Sequence, residues 1–363
     1  MRITVIGAGN LGLAMCAYLG HEGHDVLLWN RSYETIKTIT KTLMVDFQGI
    51  INGRAPLVCA TTDLIEALKD TELILITTPA FAHKELAHLL AGCLNQDVPI
   101  ILNPGRTFGA IEFMSEFMLD QPWCPLIAET QSTVYTCRKV SDDRVDILSL
   151  KDDVLIACTD MSKIDWLMSY IPKCISNQLQ PAKSLVQTSI GNVGMMLHCA
   201  PLLLNSGWTE NDHTSYKYYH EGITPSISHF LEKLDFERVA VSYALGSPVV
   251  STKTWLKQTY HVEGDTLYDC IQNTEAYHHI YAPTSLRHRY LFEDVPYGLV
   301  PLEAIGLKLG LLMKHTTLLI DLACTMLDVD FRLHGRNLES LSVTHQNQIL
   351  DDIIQSEAAY DSI

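Results

Sequence analysis

The sequence predicts an α/β domain with a parallel sheet, followed by an all-helical domain. Three observations predict this order. A β-branched run at the start ends in a glycine-rich turn, short apolar runs then alternate with helical patterns, and after about residue 183 strand-like runs disappear. The polar, Pro-containing segment at 176–183 is the predicted linker, so we expect domains at 1–178 and 183–363.

The first elements form a βαβ unit. RITVIG at 2–7 and DVLLWN at 25–30 are predicted strands, and a helical stretch from Asn10 to Gly20 separates them. Further strand-like runs with an intervening helical pattern indicate parallel strands with crossover helices. They lie at 73–77, 81–93 (the helix) and 99–102.

The pattern changes after about residue 125. Two closely spaced strand-like runs, 145–150 and 154–158, predict a mixed sheet edge that closes the first domain. The second half is dominated by helical patterns, at 185–204, 225–246, 265–277 and 301–328.

Composition excludes several classes of partner. The 42 acidic residues exceed the 26 basic ones and give a net charge of −16, which disfavours nucleic acid and anionic membranes. The ten cysteines show no CxxC pair and no zinc-site spacing, so no metal site is predicted. There is no room for a signal peptide before Arg2, and charged residues interrupt the apolar stretch after Gly310. We therefore expect a cytoplasmic protein.

A glycine-rich turn directly after the first strand is the strongest motif. Its GxGxxG pattern opens a helix, which is the dinucleotide-binding signature of the Rossmann fold: the glycines permit a tight turn, close approach to a pyrophosphate and close helix–strand packing. The predicted cofactor-binding residues here are Gly7, Ala8, Gly9, Asn10, Leu11 and Gly12.

The end of the second strand carries the predicted cofactor preference. NAD-specific proteins tend to have an acid there, whereas this chain has Asn30, Arg31 and Ser32. These residues offer hydrogen-bond donors and one positive charge to a 2′-phosphate, so NADP(H) is favoured over NAD(H). The alternative is that Arg31 faces solvent and stacks on adenine.

Two turns follow later strands of the predicted sheet. One contains Thr78 and Pro79, and the other is Asn103-Pro104-Gly105-Arg106. Ligands of open parallel sheets bind beyond the carboxyl ends of the strands, so both turns should line the cofactor cleft, with Thr78 and Pro79 contacting the cofactor. Ordinary turn chemistry is the alternative.

Two segments of the second half carry candidate chemistry. One is an apolar helical stretch with His198, and the other runs from Arg289 to Gly298 and includes Asp294. Histidine gives and takes protons near neutral pH, and a carboxylate would orient it. Arg289 could hold a carboxylate by two hydrogen bonds. A core histidine and a structural ion pair are the alternatives.

At these segments the chain resembles the opine dehydrogenase family, which includes octopine and nopaline dehydrogenases and N-(1-carboxyethyl)norvaline dehydrogenase. The likeness runs nearly end to end, and HRYLFEDVPYGLVPL is its most specific part. It rests on GAGNLG at 7–12, NPGRTFGAIEF at 103–113, AETQSTVYTCR at 128–138, the His198 segment, YYHEGITPSI at 218–227 and HRYLFEDVPYGLVPL at 288–302.

The resemblance implies a Rossmann domain, a helical domain, and reductive condensation of an amino group with a 2-oxo acid such as pyruvate. It implies His198 and Asp294 as the catalytic pair and Arg289 as the oxo-acid anchor. It also places Arg106, Thr130 and Glu129 at the oxo-acid pocket. Cys199 is a departure, because many relatives would have proline there.

The implied reaction is amine attack on the oxo acid, loss of water to an imine, and hydride transfer, with closure of the helical domain bringing the reacting groups together.

Two other functions stay open: an oxo-acid reductase that needs no amine, of the ketopantoate or 3-hydroxyacid type, and a non-catalytic NAD(P)-binding redox sensor. The expected partners are an amino acid or amine and a 2-oxo acid. Apolar surface on 301–328 is compatible with a homodimer.

Overall fold

The computed structural model describes residues 1–337. They divide into two compact units, Met1–Ser189 and a second unit that begins at Ile190. The change of unit falls inside a short helix and beyond the predicted linker at 176–183. The limits 1–178 and 183–363 stay predictions, and residues 338–363 of the second domain lie outside the described residues.

An eight-stranded sheet forms the centre of the first unit. Its strands run in the order β12-β11-β8-β7-β6-β1-β2-β5, and all neighbours are parallel except β11 and β8. These strands are β1 (Arg2–Ile6), β2 (Asp25–Trp29), β5 (Cys59–Thr61), β6 (Leu73–Ile76), β7 (Ile100–Leu102), β8 (Ile127–Thr130), β11 (Val154–Cys158) and β12 (Leu179–Pro181). The predicted Rossmann-type domain is confirmed.

Burial explains why the central strands are continuously apolar. All four residues of β6 are buried, as are four of the five residues in β1 and in β2, because helices cover a parallel sheet on its faces. The helices of this unit are α1 (Asn10–His21), α2 (Tyr33–Ile36), α3 (Ile39–Thr42), α4 (Leu64–Ala67), α5 (His83–Cys93), α6 (Gly109–Asp120), α7 (Ile164–Tyr170) and α8 (Lys173–Ser176), with α9 (Leu185–Ile190) at the change of unit.

A second, four-stranded sheet packs beside α1 and corrects one prediction. Its order is β4-β3-β10-β9, and β10 runs parallel to β3 and antiparallel to β9. The run at 145–150 is β10 and belongs to this sheet, whereas 154–158 is β11 at the mixed edge of the main sheet. The strands are β3 (Met44–Gly49), β4 (Gly53–Pro56), β9 (Tyr135–Ser141) and β10 (Arg144–Leu150).

The second unit is helical, as predicted. Between Ile190 and residue 337 the structure has no β-strand, only an isolated bridge between Lys217 and Tyr281. Its helices are α10 (Gly194–Leu204), α11 (Ser206–Thr209), α12 (Pro225–Ala244), α13 (Thr252–Tyr260), α14 (Leu267–Asn273), α15 (Arg289–Phe292), a π-helical turn (Val295–Leu299), α16 (Val300–Lys308), α17 (Lys314–Leu327) and α18 (Phe331–His334). None of the described helices is long and apolar enough to cross a membrane.

Two predicted helices are broken. The stretch 185–204 is interrupted at 191–193, where the Asn192 side chain accepts a hydrogen bond from the Gly194 amide. The stretch 301–328 is interrupted at 309–313, where Gly310 has φ +76°. Beyond that break, buried Glu237 of α12 accepts the amides of His315 and Thr316 at the start of α17.

Candidate active site

The GxGxxG turn has the geometry that a dinucleotide-binding loop requires. Gly7 has φ +104°, and a Cβ on Gly12 would lie 1.7 Å from the Gly7 carbonyl oxygen. A Cβ on Gly9 would meet nothing within 4 Å, so this glycine faces open space. Gly9 is also the N-cap of α1 and supplies no side-chain cap to the first amides of that helix. Those amides are suited to an anionic group.

The end of β2 is attached to this loop. The Asn30 side-chain oxygen accepts the Ala8 amide at 3.0 Å, and its amide nitrogen donates to the Ser32 carbonyl at 3.0 Å. Arg31 is exposed and forms an ion pair with Glu85 at 2.9 Å. The structure therefore brings Asn30 to the glycine loop and leaves the Arg31 guanidinium at the surface beside one carboxylate.

The end of β6 lies against the same loop. The Thr77 hydroxyl donates to the Ile6 carbonyl at 2.9 Å, and the Thr78 methyl group lies 2.9 Å from the position that a Cβ on Gly7 would take. The Thr78 hydroxyl oxygen is buried without a hydrogen-bond partner in the described residues, which leaves it available to a ligand. Pro79 precedes a short 3₁₀ turn, Ala80–Ala82.

The predicted oxo-acid residues of the first unit lie at the ends of β7 and β8. Arg106 has φ +61°, a conformation that side chains rarely adopt. Buried Glu129 accepts the Ala110 amide at 2.8 Å and the hydroxyls of Thr188 and Ser189 at 2.7 and 2.5 Å. These contacts favour a positioning role for Glu129 over direct contact with a substrate.

Thr130, like Glu129, makes its contacts with residues of the first unit. It is buried, and its hydroxyl lies 3.5 Å from the Leu102 carbonyl oxygen. Its main-chain carbonyl accepts the Gly105 amide at 3.3 Å. β8 therefore supports the turn that carries Arg106. Substrate contacts by Arg106, Thr130 and Glu129 stay predictions.

The second unit brings His198 and Asp294 together. His198 Nδ1 lies 2.7 Å from Asp294 Oδ2, although the residues are 96 positions apart. The Asp294 side chain is 2% exposed and that of His198 is 16% exposed, so the carboxylate is enclosed while the imidazole keeps an accessible edge. A carboxylate on Nδ1 fixes the tautomer and leaves Nε2 to exchange a proton.

Tyr290 packs against His198, a contact that was not predicted from the sequence. Its ring stacks on the His198 ring with centroids 4.0 Å apart and an interplanar angle of 8°. The Tyr218 hydroxyl donates to the His198 carbonyl, and the Cys199 thiol lies 3.4 Å from the Tyr290 carbonyl oxygen. The helix runs unbroken through Cys199. The signal was available, because Tyr290 directly follows Arg289 in the most specific segment.

Arg289 begins α15, the short helix that precedes Asp294. Its side chain is 66% exposed, and its nearest carboxylate contact is Glu293 at 3.9 Å, one helical turn away, rather than Asp294. The guanidinium carbon lies 5.9 Å from the centre of the Tyr290 ring. An exposed guanidinium near Tyr290, whose ring stacks on His198, is suited to bind an anion.

Both halves of the chain match known families. The model of the NAD/NADP octopine/nopaline dehydrogenase alpha-helical domain matches residues 181–327, and that of the NAD-dependent glycerol-3-phosphate dehydrogenase N-terminus matches residues 2–120. An opine dehydrogenase of Arthrobacter sp. (strain 1C) is 36% identical over 344 residues, which cover 94% of this chain and 95% of that protein.

The chain belongs to the opine dehydrogenase family.

Solved structures share the fold over nearly the whole length. Octopine dehydrogenase with NADH and L-arginine superposes with a TM-score of 0.81 at 18% identity, covering 96% of this chain and 98% of that one. Yersinopine dehydrogenase with NADP⁺ bound gives 0.75 at 13% identity, covering 99% of each chain.

Membership of the opine dehydrogenase family confirms the predicted class of enzyme. The protein is an NAD(P)-dependent oxidoreductase, and opine formation is favoured over the oxo-acid reductase and the redox sensor. The open space at Gly9, the uncapped amides of α1 and the unpartnered Thr78 hydroxyl fit a dinucleotide in the first unit of this opine dehydrogenase. Residues 1–337 contain no cluster of three or more His, Cys, Asp or Glu that could hold a metal ion.

His288 is a helix cap next to this site, and we expect its protonation to destabilise the fold at acid pH. Its Nδ1 accepts the Tyr290 amide at 3.3 Å as the N-cap of α15, which requires a neutral ring. Burial, and then the positive charge of Arg289, lower the pKa of His288 from its ordinary value. A lowered histidine pKa contributes stability that is present above the unfolded-state pKa and is lost as the pH falls below it.

We therefore expect His288→Asn to flatten the pH dependence of thermal unfolding, because asparagine caps a helix without titrating. The melting temperature of the wild type should fall more than that of the variant between about pH 7.5 and about pH 5.5. Exposed His279 provides the control, and His279→Asn should follow the wild type. Parallel curves for wild type and His288→Asn would contradict the assignment.

Proposed function

We propose that the protein condenses an amino acid or amine with a 2-oxo acid such as pyruvate, and reduces the resulting imine with NAD(P)H to an N-(carboxyalkyl)amino acid. The observation that carries the proposal is the enclosed His198–Asp294 pair beside exposed Arg289. Octopine dehydrogenase has been solved with NADH and L-arginine, and with NADH and pyruvate, which are the same two classes of substrate.

His198 moves the protons of the condensation. With Nδ1 bonded to Asp294, Nε2 takes a proton from the nitrogen of the amine adduct and gives it to the former carbonyl oxygen, which becomes the hydroxyl of the carbinolamine. A second transfer from the same nitrogen to this hydroxyl breaks the carbon–oxygen bond, releases water and leaves the imine. Asp294 stabilises the imidazolium formed between these steps. Stacking on Tyr290 restricts rotation of the ring, so Nε2 stays directed at one position.

Arg289 binds the carboxylate of the 2-oxo acid. A guanidinium presents two parallel donors that match a carboxylate, and its fixed charge offsets that of the acid next to the enclosed Asp294. Glu293 holds the arginine only loosely, at 3.9 Å, so the substrate competes with a weak surface ion pair.

Replacing Arg289 by methionine should raise KM for the 2-oxo acid about 10–100-fold, since a hydrogen bond to a charged group contributes about 1.5–3 kcal/mol. KM for NAD(P)H should not change. Arg287→Met is the matched control, because Arg287 lies against the Phe292 ring, 6.0 Å from its centre, on the same segment. Equal changes in both variants would mean that the segment, and not Arg289, was disturbed.

NAD(P)H, when bound, supplies the hydride that reduces the imine. NADPH is the proposed preference, because the end of β2 carries Asn30, Arg31 and Ser32 where an acid would repel a 2′-phosphate. The relatives include structures with NADH and with NADP⁺. We also propose a cytoplasmic location, supported by ten free cysteines, and a homodimer as the assembly.

Initial rates test the proposed reaction. NADPH and NADH oxidation should require both a 2-oxo acid and an amine, measured with each amino acid in turn and with none. Oxidation by the oxo acid alone would show a simple reductase. Cofactor binding without oxidation of any mixture would show a binding protein.

A further inference from the structure

Lys139 is a partly buried cation at the glycine-rich loop, and no sequence motif singled it out. It lies on β9 of the second sheet, about a hundred residues from the motifs of β1 and β2. Its amide donates to the Asn10 side chain at 2.8 Å, and its Nζ lies 3.3 Å from the Ala8 carbonyl oxygen and 3.5 Å from that of Thr35. The ammonium thus lies between the glycine loop and α2.

This is the location of the adenosine ribose in a Rossmann domain, because the side chain that ends β2 contacts that ribose. Here that side chain is Asn30, which accepts the amide of Ala8, the same residue whose carbonyl oxygen contacts Lys139. Thr35 follows Arg31 and Ser32 within the next turn of chain. Lys139 therefore contacts, from the second sheet, the segment after β2 that contains Arg31.

The charge of Lys139 is only partly compensated. Two of its three neighbours are carbonyl oxygens, which carry no net charge, and its one carboxylate partner in residues 1–337 is Asp142 at 3.7 Å. Asp142 is half-exposed, so solvent weakens that ion pair. The Lys139 side chain is 21% exposed, so a phosphate dianion can reach it. Its contacts with the two carbonyl oxygens hold the ammonium in position before a phosphate binds.

We propose that Lys139 is a second determinant of NADPH specificity, binding the 2′-phosphate together with Arg31. The inference rests on the proposed NADPH preference and adds to it the second cation that one exposed arginine, already paired with Glu85, does not provide. Lys139 exchanges a carbonyl contact for a phosphate oxygen. Asn10 keeps the main chain of β9 in place.

The alternative role of Lys139 is structural, as a link from β9 to the loop, and two variants separate the roles. Lys139→Gln keeps a donor for the carbonyls of Ala8 and Thr35 but removes the charge, and Lys139→Met removes both. Calorimetric titration gives Kd for 2′,5′-ADP and for 5′-AMP, and the difference between them measures binding of the 2′-phosphate without catalysis. Kd is also measured for NADPH and for NADH. Lys163→Met is the charge-matched control, since Lys163 follows β11, five strands from β2 in the sheet order.

Both Lys139 variants should weaken NADPH and 2′,5′-ADP about 10-fold or more, and change NADH and 5′-AMP by less than about 2-fold. Equal weakening of both nucleotides, or rescue of NADPH binding by glutamine, would show a structural link and overturn the proposal, as would no change. A wild type that binds NADH more tightly than NADPH would overturn the cofactor preference itself. Amine-dependent turnover, measured separately, would still stand.

Discussion

Replacing His198 by alanine is expected to lower kcat about 10³-fold, within the ~10²–10⁴ range of a general acid–base group, and to leave Kd for NAD(P)H unchanged. The imidazole is the proton carrier of the proposed condensation, whereas the glycine loop that we predict to bind the cofactor belongs to the other compact unit. Steady-state rates and cofactor titration by fluorescence measure the two quantities separately.

Exposed His213 provides the control for the His198 variant. His213→Ala should behave as the wild type, which shows that loss of a histidine from this unit is not itself harmful. Loss of cofactor affinity in His198→Ala equal to its loss of turnover would sink the catalytic assignment, because a proton carrier acts on kcat.

Replacing Asp294 by asparagine should also lower kcat about 10³-fold, although the two side chains have the same shape. The carboxylate accepts the proton on Nδ1 of His198, and an amide that donates there would place the imidazole in the opposite tautomer. Nε2 would then carry a proton and could not accept one from the amine. The pH–rate profile and kcat are the measurements.

Thermal unfolding distinguishes this effect from damage to the fold, and Asp212→Asn, at an exposed position, is the control. A kcat of Asp294→Asn within about tenfold of the wild type would show that the carboxylate has no orienting role. The double variant with His198→Ala should be no slower than His198→Ala alone, because the two residues act as one unit.

The first βαβ unit was predictable because its signals are local. RITVIG and DVLLWN contain runs of consecutive apolar residues, and at Gly7 and Gly12 of the intervening turn there is no room for a Cβ. The second sheet was not predictable in the same way, since β10 pairs with β3, which lies about a hundred residues earlier. Half-buried, alternating strands such as β3 also give a weaker signal than buried ones.

The helix breaks show the same limit. The residues at 301–328 are mostly helical, as predicted, but the break within them was not predicted. α17 begins where Glu237 of α12 accepts the amides of its first turn. A local pattern does not contain that contact. Gly310 was the one local sign of the break.

The pairing of His198 with Asp294 was predicted, whereas the residues around the pair were not. The family resemblance paired His198 with Asp294, and the structure places them 2.7 Å apart. The sequence marked Tyr290 only by its place beside Arg289 and gave no sign of Lys139, because the Tyr290–His198 ring stack and the Lys139–Ala8 contact each join segments far apart in the sequence. No spacing rule connects such residues.

The product formed from NADPH that carries deuterium in the transferred position tests the central claim most directly. With a 2-oxo acid and the best amine, we predict a secondary amine with one deuterium on the carbon that was the oxo carbon, as mass spectrometry and NMR would show. A deuterated 2-hydroxy acid, with the amine recovered unchanged, would contradict the proposed imine reduction and identify the enzyme as an oxo-acid reductase.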